Sequence, residues 1–123
     1  MVTFKPLDPQ MPLMEQMKTD QSPVTLVNVF SVAEEDIPAL LKAWEADANW
    51  MKQQPGYIST QLHRGIAGST VFMNYAIWES VEHFRHAFSH PDFQKSMEAY
   101  PDSAITQPHL FSPIAVPNLC VGE

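Results

Sequence analysis

Residue types able to handle protons and negative charge stand close together in the middle of the chain. Asn74 and Trp78 are four positions apart within residues 70–79, a run rich in β-branched and aromatic side chains. Such a run reads as a strand, in which alternate side chains share a face. Thr70, Phe72, Asn74, Ala76 and Trp78 then lie on one face, and Val71, Met73, Tyr75 and Ile77 on the other. The first set mixes aromatic, small and amide groups, as the wall of a small-molecule pocket does. Residues 57–64 read as the preceding strand, joined to it through a short turn with Gly65 and Gly68, so the two form a hairpin. Tyr57, Ser59, Gln61 and His63 are predicted to make a second mixed face, with His63 near the turn. Amide and indole N–H groups donate hydrogen bonds, and an imidazole titrates near neutrality. Each residue also has a structural use. Trp78 can be a core aromatic, Asn74 an amide tying two strands, and His63 an exposed hairpin residue.

The elements that position these residues follow from periodicity. Residues 24–30 (Val-Thr-Leu-Val-Asn-Val-Phe) form a β-branched run after Pro23 and read as a buried strand. Its one strongly polar side chain, Asn28, serves either a pocket or the structure. Ile37, Leu40, Leu41, Trp44, Ala48 and Met51 follow the spacing of a helix with one apolar face. Glu34, Glu35 and Asp36 favour its N-terminus, and Pro55-Gly56 ends it. Ser80 is predicted to cap a helix running to residue 89, with Val81, Phe84 and Phe88 inward. A short helix over 92–100 follows, and residues 108–116 read as a last strand, with Pro113 placing it at an edge or a bulge. The order β-α-β-β-α-(α)-β predicts an α+β, ferredoxin-like antiparallel sheet with helices on one face. The other face carries Val27, Val29, Val71, Met73 and Ile77. Covering it requires a second copy, so a homodimer of face-to-face sheets is expected.

The 123 residues suit one domain, divided into an arm over 1–22, a domain over 23–117 and a tail over 118–123. Met11, Met14 and Met17 recur every three residues in the arm, which reads as a flexible extension or one packed on a partner subunit. The net charge of −7 opposes nucleic-acid binding. No apolar run approaches a membrane span, no leader pattern is visible, and Cys120 stands alone. The sequence therefore predicts a cytoplasmic protein. No phosphate loop or familiar metal spacing is visible, and no metal or other cofactor is expected. His83, His86 and His90 follow helical spacing but are predicted to face water rather than a metal.

The run Asn74-Tyr75-Ala76-Ile77-Trp78-Glu79-Ser80 resembles the matching segment of the antibiotic biosynthesis monooxygenases, in particular their anthrone-oxidising members. Pro55-Gly56-Tyr57 is similar to the Pro-Gly-aromatic opening of that family's second strand, and the likeness spans about residues 24–116. It implies a dimeric α/β-barrel that oxidises a small aromatic or polyketide-like phenol or anthrone with O2, without metal or flavin. By position, Asn74 matches the catalytic amide, Trp78 the catalytic indole and His63 the pocket imidazole. Amide and indole N–H groups can stabilise an oxyanion that develops when the substrate loses a proton, and the imidazole can accept that proton. Asn28, Tyr57, Phe72 and Phe84 are the expected substrate contacts. Phe84 stands where the anthrone-oxidising enzyme has a tyrosine, and no equivalent of its pocket arginine is found. In a haem-degrading branch, Ala87 and Met97 replace the key Trp and His, so haem degradation is not expected. A dimeric binding or stress-response protein without turnover, or a lyase or isomerase on the same scaffold, are the alternatives.

Overall fold

A computed structural model describes residues 2–122; the ends of the expected arm and tail, residues 1 and 123, lie outside it. The elements are β1 (Thr3–Phe4), α1 (Leu13–Gln16), β2 (Val24–Ser31), α2 (Ile37–Met51), β3 (Tyr57–Arg64), β4 (Val71–Trp78), α3 (Val81–Phe88), α4 (Pro91–Ser96) and β5 (Ile105–Phe111). Single 3-10 turns, Glu34–Asp36 and Met97–Ala99, precede α2 and follow α4. The five strands lie in the order β1-β5-β2-β4-β3. The four long strands pair antiparallel, and the short β1 adds a parallel edge to β5. This is the ferredoxin-like arrangement, with helices on one face, and the extra edge strand makes the sheet mixed.

Local chemistry explains the boundaries. Pro38 occupies the first turn of α2, where a missing N–H costs no helical bond. Gly56 turns the chain into β3 at φ +89°, and a Cβ there would lie 2.2 Å from Cγ of His83. Glycine is required on both counts. Ser80 caps α3 by accepting the His83 N–H at 3.1 Å, and the His90 ring caps α4 by accepting the Asp92 N–H at 3.0 Å. These caps engage two of the three histidines of the helical-spacing cluster. Among the described residues no group of three or more His, Cys, Asp or Glu could hold a metal ion, and no helix is long and apolar enough to cross a membrane.

Two expectations are corrected. The last strand runs over Ile105–Phe111 rather than 108–116. Its alternating buried residues are Thr106, Pro108 and Leu110, and Pro113 falls after it. Pro108 is accommodated because β1 reaches only Thr106 on that side. The arm packs on its own domain rather than hanging free. β1 joins the sheet, Gln16 bonds both backbone groups of Leu110 (2.9 and 3.0 Å) like a strand residue, and the Arg85 guanidinium donates to the Met17 carbonyl. This covers a sheet edge that would otherwise expose unpaired backbone groups. Leu13 and Met17 are buried, whereas Met11 and Met14 are exposed, so the methionines do not form one face.

The core divides into two clusters. One gathers Phe30, Leu40, Phe72, Met97 and Tyr100 between the sheet and α2. The other gathers Leu26, Trp78, Val81, Phe84 and Leu110 beneath α3 and α1. Residues of both line the space between them.

Candidate active site

That space is a small cavity of about 80 Å³ that opens to solvent through its mouth. Its floor is the sheet. In register across the three central strands, Pro108, Asn28 and Asn74 face one another in a row, flanked by the Leu26–Ala76 pair on one side and Phe30–Phe72 on the other. The two amides are therefore immediate neighbours on adjacent strands, in an otherwise apolar surface. Asparagine is disfavoured in strands, and here each amide is held from the next strand outward. The Thr106 hydroxyl donates to Oδ1 of Asn28 at 2.5 Å, and the Thr60 hydroxyl donates to Oδ1 of Asn74 at 2.5 Å. With both carbonyl oxygens engaged, Nδ2 of each is left without an acceptor among the described residues. Trp78 sits two pleat repeats beyond Asn74 on β4, past Ala76, 2% exposed, with its ring edge-on to Tyr57 (5.7 Å) and Phe84 (5.8 Å).

The helical side supplies a group that the sequence reading did not single out. Asp47, on α2, lines the cavity and is 6% exposed. Its position on the apolar face of the helix, one residue before Ala48, was the only available signal. Ser96 Oγ lies 2.5 Å from Oδ1 of Asp47 and 2.6 Å from the Phe93 carbonyl, and Tyr100 also hydrogen-bonds Asp47. Burial raises the Asp47 pKa above its usual 3.8, opposed by the hydrogen bonds from Ser96 and Tyr100. Burial, together with the adjacent Asp47 charge and hydrogen bond, raises the Tyr100 pKa far above the ordinary phenol range. Tyr100 therefore stays protonated. Ser96 has one O–H proton and two acceptors within reach. When Asp47 is protonated it can donate to Ser96 Oγ while Ser96 donates to Phe93, so this site is built to hold a proton as well as to release one.

The expected site residues divide accordingly. Asn28, Tyr57, Asn74, Trp78 and Phe84 all line the cavity. His63 does not. It is exposed on the opposite face of the sheet, paired with Met73. A β-bulge between Tyr57 and Ser59 is the cause. The extra residue puts Tyr57 in register with Trp78, but Ser59, Gln61 and His63 in register with Ile77, Tyr75 and Met73. Strict alternation had placed all four on one face, and one bulge is enough to invert it. Phe72 also lies outside the cavity. It is buried in the α2-side cluster beneath the Arg64 guanidinium, 5.4 Å from its ring centroid.

A sheet floor carrying paired amides and an indole, roofed by helices, defines the class. A sequence model of the antibiotic biosynthesis monooxygenases matches residues 23–99, and the chain belongs to that family. It is similar to a candidate monooxygenase from Shewanella loihica, with 38% identity and a TM-score of 0.64 over 77% of this chain and 97% of that one. It shares its fold with SnoaB, a cofactor-independent oxygenase from Streptomyces nogalater (24% identity, TM-score 0.69, 80% of this chain and 99% of that one). A candidate antibiotic biosynthesis monooxygenase from Caulobacter crescentus has the same fold (17% identity, TM-score 0.62, 72% and 89%). No curated protein sequence matches the chain.

Proposed function

We propose that the protein is a cofactor-independent monooxygenase that oxidises a small phenolic or anthrone-like polyketide with O2. The observation that carries this reading is the pair of neighbouring amides, Asn28 and Asn74. Their oxygens are tied back by Thr106 and Thr60, which leaves their N–H groups as the donors these residues can offer in a cavity that is also lined by a buried carboxylate. An anthrone loses a C–H proton to Asp47, and the electron pair passes to its carbonyl oxygen. Asn28 and Asn74 Nδ2–H, with Trp78 Nε1–H, donate to that oxyanion in a largely dry pocket. The electron-rich anion then reduces O2 directly. Overall the CH2 group becomes C=O, one oxygen atom enters the product and the other leaves as water. The four electrons come from the substrate, so the reaction balances without a further reductant.

Purified protein is expected to consume O2 with an anthrone and to give a product 14 mass units heavier, two hydrogens lost and one oxygen gained, labelled by 18O2. A product labelled only from water would refute the reading. The same acid/base and oxyanion groups also suit a lyase or isomerase, and Phe84, which lacks a phenolic hydroxyl, favours a binding protein. An isomer of unchanged mass marks the first, and binding without O2 uptake the second.

A homodimer belongs to this reading. On the face opposite the helices, Val71 and Tyr75 are 41% and 43% exposed, and Val29 and Ile77 stand beside them. A face of this kind is energetically satisfied against a second sheet. In solution the full chain is expected to sediment at twice its monomer mass, and Val29→Glu with Tyr75→Glu to sediment as the monomer.

A further inference from the structure

We propose that the N-terminal arm builds an outer apolar subsite, which receives a hydrophobic extension of the same substrate whose reacting ring occupies the inner cavity. This rests on the inner cavity being the substrate site, though not on the reaction being an oxygenation. Residues 2–22 precede the part of the chain that the family model matches, so the subsite is an addition to the shared fold.

Phe4, Pro6, Pro12 and Met14 of the arm face Phe88 and Pro108 across a second concave space. Phe88 and Pro108 also line the inner cavity, so the two spaces share a wall. The arm is held rigidly enough to shape that space. Thr3 N–H donates to the Ala104 carbonyl and Lys5 N–H to Thr106, at 2.9 and 3.0 Å, while the Gln16 clamp on Leu110 fixes the other end. Phe88 and Pro108 are the residues common to both linings. Phe88 is the last residue of α3, and its ring meets Phe4 edge-on at 6.1 Å and leans on Phe84 and Phe93 at 5.5 Å each. Joining the two spaces then requires the Phe88 side chain to leave these three ring contacts for another rotamer, with no change to the backbone.

The chemistry of the walls sets the occupant. The inner cavity offers donors and a carboxylate, which suit a phenol or enolisable carbonyl. The outer space offers aromatic, proline and methionine surfaces, with Lys5 and Gln94 as its polar members. A flexible alkyl or polyene chain of several carbons fits such a surface. Met14 and Phe4 are 62% and 45% exposed, so their apolar area is available for burial by a ligand.

The test uses the full chain and calorimetric binding of phenol, 4-propylphenol, 4-pentylphenol and 4-heptylphenol, with no turnover required. Affinity is expected to rise about three- to fourfold per methylene once the chain passes Phe88. In Met14→Glu and Phe4→Asp, both at exposed positions, the gain from pentyl to heptyl should collapse while phenol binding is unchanged. An affinity independent of chain length overturns the proposal. So does a chain-length gain that both variants retain, because the chain then lies elsewhere. Loss of the oxygenase reading alone leaves this binding pattern standing, so the two failures are distinguishable.

Discussion

Asp47→Asn is expected to lower the rate of anthrone oxidation by about 10²- to 10⁴-fold, the usual contribution of a positioned general base. The amide keeps the size of the carboxylate and can still accept from Ser96 and Tyr100, but it cannot take the substrate proton. The wild-type enzyme should show an acid limb in kcat/KM set by Asp47, because only the ionised carboxylate accepts a proton. Burial raises that pKa above the 3.8 of a free aspartate, so the limb lies at higher pH than for an exposed carboxylate and disappears in Asp47→Asn. The stability effect has the opposite sense. A folded-state pKa above the unfolded value means that the native protein binds more protons between the two values. The contribution of Asp47 is therefore present at low pH and declines as pH rises through the folded pKa. Asp47→Asn removes that slope and should be at least as stable as wild type at neutral pH. Full activity in Asp47→Asn, measured by O2 uptake across pH 5–9 alongside a denaturation curve, rules Asp47 out as the base.

Asn74→Ala should cost about 10²- to 10³-fold in kcat with a much smaller change in KM, the signature of a donor whose bond strengthens as the oxyanion develops. Stability should fall only by about 1 kcal/mol, since the lost partner is a single threonine hydroxyl. Asn28→Ala should behave similarly. The double variant should lose less than the product of the single losses, because both amides are aimed at one developing charge. Asn74→Asp sharpens the comparison, since it preserves the shape while replacing donor by carboxylate and should be no better than alanine. If kcat is retained in Asn74→Ala, the amide is structural, tying β4 to Thr60, and the oxyanion site lies elsewhere. The two experiments separate proton removal from charge stabilisation. Only the Asp47 variant should change the pH profile, whereas the Asn74 variant should lower the rate at every pH.

Several features of the site could be read in advance because they depend on local periodicity. Asn74 and Trp78 share a face by alternation along β4, and the structure keeps them on the cavity side. Ser80 caps α3 because its side-chain oxygen reaches an N–H three residues on, within one turn of chain. Asn28 could be picked out as the polar member of a buried strand, although its purpose could not. His63 shows where such reasoning ends. Alternation counts residues, and the bulge after Tyr57 adds one that composition does not announce, so Tyr57 turns in and His63 turns out.

What the sequence by itself determined is the order of the elements from β2 to β5 and the apolar face that most of them must bury, though not β1 and α1 of the arm or the bounds of β5. These follow from residue propensity and spacing over a few turns. The tertiary structure alone decided which polar groups meet. Asn28 and Asn74 become neighbours only through the β2–β4 register, 46 residues apart in the chain. Asp47 is paired with Ser96 and Tyr100 only because α2 packs beside the segment that follows α3. The arm, which read as a flexible extension or one packed on a partner subunit, is fixed by backbone hydrogen bonds to Ala104 and Thr106 that any sequence of suitable length could make. Long-range register and edge pairing rest on backbone groups common to nearly every residue, and so leave almost no mark in the residue types.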